Sequence, residues 1–129
     1  MTDLPIIAVT MGDPAGVGAE VIVKALSRAE VTAMCRPVVI GDAHRLTIAA
    51  QLCGLSLRIR VVADPSELAS ATELSTITVI DPQVVPAALE WGVVSPQAGE
   101  AAYRYVAIAA QLAISGKVQA ICTLSLIHI

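Results

Sequence analysis

The sequence predicts an open, mostly parallel α/β sheet with flanking helices, and three observations carry that expectation. Short β-branched runs alternate with helix-like segments along the 129 residues. Hydrophobic residues make up 56% of the chain, above the roughly 45–50% of ordinary soluble domains, as expected where helices cover both faces of a parallel sheet. A glycine-rich turn, Gly12 to Gly18, joins the first run to the first helix. Strands that alternate with helices imply right-handed crossovers.

The elements follow in order. Ile6 to Thr10 reads as a buried strand that ends at Gly12. Val17 to Leu26 reads as a helix with Val17, Val21, Lys24 and Ala25 on one face. Val38 to Ile40 is the next strand, and Pro37 ahead of it blocks helix. Asp42 is placed to cap a helix from Ala43 to about Cys53, with Gly54 as its stop. Leu57, Ile59 and Val61 alternate with polar residues, the pattern of an edge or half-exposed strand. Ala63 to Ser75 is the most polar stretch and reads as a surface connection, after which Ile77 to Ile80 forms a short strand. Ser95 and Pro96 suit the N-cap and first position of a long helix. Ala98, Ala101, Ala102, Tyr105, Ala109, Leu112 and Ala113 share its inner face, Gly116 ends it, and Val118 to Cys122 begins another buried strand.

Several function classes are excluded or disfavoured. Net charge is −3 and the basic residues are scattered, which points to a solvated surface rather than a nucleic-acid stripe. Asp42, Arg58, Arg60 and Gln111 interrupt the apolar stretches, well short of the roughly 18 apolar residues of a membrane span. Met1 to Pro5 carries no basic leader region. Cys35, Cys53 and Cys122 form no C-x-x-C pair and read as buried thiols in a reducing cytoplasm.

The turn Val9-Thr10-Met11-Gly12-Asp13-Pro14-Ala15-Gly16-Val17-Gly18 reads either as a ligand-facing loop or as a tight strand-to-helix turn with a structural role alone. In an open α/β sheet, ligands gather outside the carboxyl ends of the strands, where this turn lies. Gly12, Gly16 and Gly18 permit positive φ and close approach of a ligand, and the following helix start attracts an anion. Asp13 either orients a polar group such as a ribose or caps the turn ahead of Pro14. The spacing fits neither G-x-G-x-x-G nor the P-loop. Valine at Gly16 or Gly18 is expected to weaken ligand binding more than stability.

Four blocks then carry a resemblance. Val9 to Leu26, Pro37 to Asp42, Gly92 to Ala102 and Val118 to Thr123, in that order, resemble the 4-hydroxythreonine-4-phosphate dehydrogenase family across nearly the whole chain. The resemblance implies an isocitrate/isopropylmalate dehydrogenase-like fold with two α/β domains and a cleft completed by a partner in a homodimer. It further implies a cytoplasmic enzyme that oxidises a small phosphorylated hydroxy acid with NAD and a divalent metal ion, followed by decarboxylation. In one branch this serves pyridoxal 5′-phosphate synthesis; a related branch acts on D-threonate or D-erythronate 4-phosphate. Gly12, Asp13, Gly16 and Gly18 are the cofactor-binding candidates.

No catalytic residue or metal ligand is assigned within the chain, because the family's metal-binding histidines lie downstream. His44 reads as a solvent-facing or capping residue, and His128 has no partner in the motif. Leu124 to Ile129 departs from the family, where Ala-Pro and a nearby Lys follow, and resembles the translated end of a transposase sequencing adaptor. The expectation is therefore the N-terminal part of a two-domain dehydrogenase over 1–123, a non-native tail over 124–129, and a piece that is poorly folded and inactive alone. The alternatives are a non-redox module that binds or transfers a phosphorylated metabolite, and an interaction fragment using the Ala-rich face from Ala98 to Ala113.

Overall fold

The computed structural model of the chain describes residues 4–68 and 75–124. The strands are β1 (Ile6–Thr10), β2 (Arg36–Ile40), β3 (Arg58–Val61), β4 (Thr76–Ile80) and β5 (Ala120–Thr123). The helices are α1 (Gly18–Leu26), α2 (Ala29–Thr32), α3 (Ala43–Leu52) and α4 (Pro96–Ile114). The sheet runs β3-β4-β2-β1-β5, with every pair parallel. His128, with the rest of 125–129, and residues 69–74 of the polar connection lie outside the described residues, as do residues 1–3.

Burial explains the layering. Neighbouring residues of a strand face opposite sides of the sheet, and Pro37, Val38, Val39 and Ile40 are buried in succession. Both faces of β2 are therefore covered. On one, α1 and α3 pack against each other; α4 lies against β1, β2 and β5. The core between the layers is aliphatic, with Tyr105 of α4 its largest fully buried side chain.

Local chemistry fixes the helix ends. The Asp42 carboxylate accepts from the Arg45 amide at 2.9 Å and caps α3. The Ser95 hydroxyl accepts from the Ala98 amide at 3.1 Å and, with Pro96 in the first turn, starts α4. Gly54 and Gly116 follow α3 and α4 at φ 68° and 78°, a conformation other L-residues resist. Among the described residues no helix is long and apolar enough to cross a membrane.

Several expectations need correction. Val17, Val21 and Lys24 of the predicted α1 face are exposed, and the helix buries Ala19, Ile22 and Val23 instead. Valines occur on both sides of this helix, so composition alone could not orient it. The last strand is not buried: all four residues of β5 are exposed, and among the described residues it pairs with β1 alone. Cys122 is accordingly exposed, and Cys35 and Cys53 are half-buried. Two short elements escaped the periodicity: α2, and a 3₁₀ turn at Pro65–Glu67 closed by a capping box from Asp64 and Glu67. The edge position of β3, in contrast, agrees with its alternating pattern.

Two predictions arise from these elements. Gly99 lies within α4, is exposed, and a Cβ there would meet nothing within 4 Å. Gly99→Ala is therefore expected to raise stability by about 0.5–1 kcal/mol, seen as a higher urea midpoint. A lower midpoint would mean that the helix has a hidden neighbour at this face.

The second concerns Asp64, whose carboxylate receives the Lys117 ammonium at 2.6 Å across the β3 and α4 ends. That hydrogen bond, with one from the Ser66 amide, lowers its pKa to about 2 from the usual 3.8. A carboxylate depressed on folding stabilises the fold above its unfolded pKa, and the contribution is lost as pH falls from near 3.8 through about 2. In Lys117→Ala, an NMR titration should show the Asp64 midpoint rise towards the ordinary value. An unchanged midpoint would assign the depression to the capping amides.

Candidate functional site

The glycine-rich turn stands where the topology changes direction. From β1 the chain passes through α1 to β2 on one side, whereas β5 enters on the other side after the long α4 crossover. The carboxyl ends of β1 and β5 flank the turn, in register from Ile7 with Ala120 to Thr10 with Thr123. Such a reversal of strand order opens the crevice in which α/β sheets bind ligands.

The four candidate residues divide by role. Gly12 is buried at φ 77°, so it supplies the left-handed conformation that the turn needs. Gly16 and Gly18, which the sequence equally permits there, are not in that region. Gly18 is required by the protein itself: a Cβ there would lie 2.1 Å from the Met11 carbonyl oxygen and 3.2 Å from Leu124 Cδ1. The expectation that valine here would affect binding before stability is therefore overturned for Gly18. Asp13 accepts from the Ala15 amide at 2.8 Å, and the Gly16 amide donates to the Asp13 carbonyl at 3.0 Å. Its carboxylate thus caps the turn, the simpler of its two expected roles.

The helix starts at this edge differ in how their amides are served. At α3, Asp42 accepts from Arg45, and Asp81 at the end of β4 accepts from the Ala43 amide at 3.0 Å. Two carboxylates already complement that positive dipole end. Ser95 serves α4, whereas Val17 ahead of α1 offers no side-chain bond. Of these three helix starts, only that of α1 lacks a side-chain cap, which leaves its first amides for an incoming anion or polar group.

Arg45 is the residue that the sequence reading missed. The sequence places it among scattered surface cations, and the structure buries it to 3% exposure. Its Nη1 donates to the Pro14 carbonyl at 2.9 Å, Nη2 donates to the Leu89 carbonyl, and its Cζ lies 4.4 Å from the Trp91 ring centroid. A second bond joins the same loops, from the Gly92 amide to the Ala15 carbonyl at 2.6 Å. The signal was present: Arg45 precedes Ala49 by four and shares the buried face of Leu46, Ala49 and Ala50.

Two cavities adjoin this loop. One, about 170 Å³, is walled by Asp42, His44, Arg45, Ile48, Val85 and Trp91, among others; His44 itself is solvent-exposed, as expected. The other, about 320 Å³, lies between Leu89, Val93, Ser95 and Gln97. Neither is lined by Gly12, Asp13, Gly16 or Gly18. Asp42 is buried at the first, and loss of hydration raises its pKa against the opposing bond from the Arg45 amide. Among the described residues no three His, Cys, Asp or Glu side chains gather to hold a metal.

An open parallel sheet with a glycine-rich turn at its switch point is the architecture in which α/β domains bind ligands. Residues 33–127 match the family model of the pyridoxal phosphate biosynthetic protein PdxA, and the chain belongs to that family. It is 45% identical over 120 residues to the D-threonate 4-phosphate dehydrogenase of Cupriavidus necator, covering 93% of this chain and 35% of that protein. It is 37% identical to the 4-hydroxythreonine-4-phosphate dehydrogenase of Trichlorobacter lovleyi, covering 95% and 36%. The crystal structure of a 4-hydroxythreonine-4-phosphate dehydrogenase from Burkholderia phymatum superposes with a TM-score of 0.89 at 52% identity, covering 95% of this chain and 36% of that one. The fold is the isocitrate/isopropylmalate dehydrogenase-like one, as expected. The chain spans about a third of the length of these relatives.

Proposed function

We propose that this chain serves as the N-terminal part of an NAD-dependent, metal-assisted dehydrogenase of a phosphorylated hydroxy acid. The observation that carries the reading is the start of α1, which has no side-chain cap, behind a turn that Gly12 bends through the left-handed conformation at the switch point. That arrangement fits the phosphate edge of a dinucleotide or of the substrate. In this reading Gly12 and Gly16 let the ligand approach, Asp13 holds the turn through Ala15, and Gly18 keeps α1 close to Met11. NAD, when bound, would supply the hydride acceptor for the oxidation, and a divalent cation would supply Lewis-acid polarisation for the oxidation and the decarboxylation that follows it. The metal's ligands come from outside this chain, and the working enzyme is a cytoplasmic homodimer; the 129 residues alone are inactive.

The relatives' names give two substrates that differ at C2, an amine in 4-hydroxythreonine 4-phosphate and a hydroxyl in D-threonate 4-phosphate. The first belongs to pyridoxal 5′-phosphate synthesis. Identity does not rank them: it is 45% to the relative named for the second acid, and 37% and 52% to two proteins named for the first. NADH formation by a full-length protein carrying this chain, assayed with each acid and a divalent cation, tests both readings. Turnover of one acid alone assigns the substrate. No NADH with either would remove the dehydrogenase reading and leave a module that only binds or transfers a phosphorylated metabolite.

In the same full-length protein, Gly16→Val is expected to raise KM for NAD or the acid about tenfold or more, because the added side chain occupies the ligand's approach. Unchanged KM for both would take the ligand away from this turn.

A further inference from the structure

We propose that Arg45 is a positioning residue that locks the glycine-rich turn to the Leu89–Gly92 loop, so that the two behave as one rigid wall at the carboxyl edge of the sheet. The guanidinium is planar and can use its edge and face at once. Here its edge reaches two backbone carbonyls on different loops, Pro14 and Leu89, while its face lies 4.4 Å from the Trp91 centroid. The Gly92 amide completes the joint through the Ala15 carbonyl at 2.6 Å.

Burial argues for a specific task. No ion pair within 4.0 Å accompanies Arg45 among the described residues, although it is almost wholly buried. Asp42 acts on it only at longer range, and a cation buried without a contact ion pair is retained at a cost; here it joins two connections. Neither connection has strand partners of its own. The turn is otherwise held by bonds to Asp13, from the Ala15 and Gly16 amides, and residues 81–95 contain no helix or strand. Without the arginine, the bond from Gly92 to Ala15 would be the backbone link left between them among the described residues. Trp91 and Arg45 also line the 170 Å³ cavity, so the joint sets the shape of that recess as well. For catalysis, the proposal rests on the ligand-facing reading of the turn; the joint itself does not.

The chain's single tryptophan makes the joint measurable without any ligand. In Arg45→Leu, exchange of the Gly92 amide should accelerate about tenfold or more relative to the Val39 amide of β2, and Trp91 emission should move to the red. Arg45→Lys should behave alike, because one ammonium cannot span both carbonyls and the ring. Trp91→Leu, at a site 41% exposed, leaves the strands untouched and should loosen Gly92 by a smaller factor. It keeps the test decisive if an arginine variant fails to fold. Gly92 exchange at the wild-type rate in these variants overturns the proposal, as does full restoration by lysine.

In a full-length protein carrying the chain, Arg45→Lys should raise KM for NAD or substrate several-fold with kcat less affected. Faster Gly92 exchange with both KM values unchanged would uphold the joint and reject the ligand role of the turn. Unchanged exchange with no activity in the wild type would reject both.

Discussion

Gly18→Ala is expected to destabilise the protein by about 3 kcal/mol, the upper end of ordinary overpacking. The added Cβ would stand 2.1 Å from the Met11 carbonyl oxygen, a backbone atom that cannot rotate away. Met11 in turn is fully buried, and its amide donates to the Ile40 carbonyl at 2.9 Å. Relief would therefore require α1 to move off β1, uncovering Ala19, Ile22 and Val23. A urea titration should show the midpoint fall by roughly 1–2 M, given the usual slope for a domain of this size. If the midpoint holds and only ligand affinity drops, the close approach of Gly18 to Met11 is absent in solution and the turn is shaped for the ligand alone. The contrast with Gly99→Ala is useful, since the same chemical change should act with opposite sign.

Tyr105→Ala is the second large effect, about 3–5 kcal/mol by analogy with other buried aromatic truncations. Tyr105 is fully buried at the inner face of α4, where it fills the centre of the core. Tyr105→Phe should cost little, because the hydroxyl has no protein partner among the described residues. Burial, with the nearby carboxylates of Asp42 and Asp81, pushes the phenol pKa upward, so the group stays neutral. The two substitutions thus separate ring from hydroxyl. A phenylalanine variant as unstable as the alanine one would show that the hydroxyl, or the equally unpartnered Thr10 hydroxyl, is bonded within the fold. Thermal melts of the three proteins decide it.

The inner face of α4 was legible because its spacing is regular over five turns and its cap is local. Ala98, Ala101, Ala102, Tyr105 and Ala109 are buried as read, and Ser95 bonds within its own helix start. Asp42, Gly54 and Gly116 were equally readable, since caps and stops depend on neighbours a few residues away. The α1 face was not, because valines line both sides of that helix and only contact with α3 and the sheet selects Ala19, Ile22 and Val23.

In the candidate site, the turn was legible and its support was not. A glycine-rich segment between strand and helix announces close approach, but it does not say to what. Gly12 answers to backbone conformation, Gly18 to the Met11 carbonyl, and Asp13 to the Ala15 amide. Arg45 lies 31 positions from Pro14 and 44 from Leu89, distances at which sequence spacing carries no geometric information.

By itself, then, the sequence determined the alternation of strands and helices, the helix ends and the family blocks, all of them set by forces acting within a few residues. Only the tertiary structure decided which helix face is buried, that β5 is an exposed edge, and that Arg45 joins two loops. Those depend on which segments meet in space, and burial and long-range hydrogen bonds have no counterpart in local spacing.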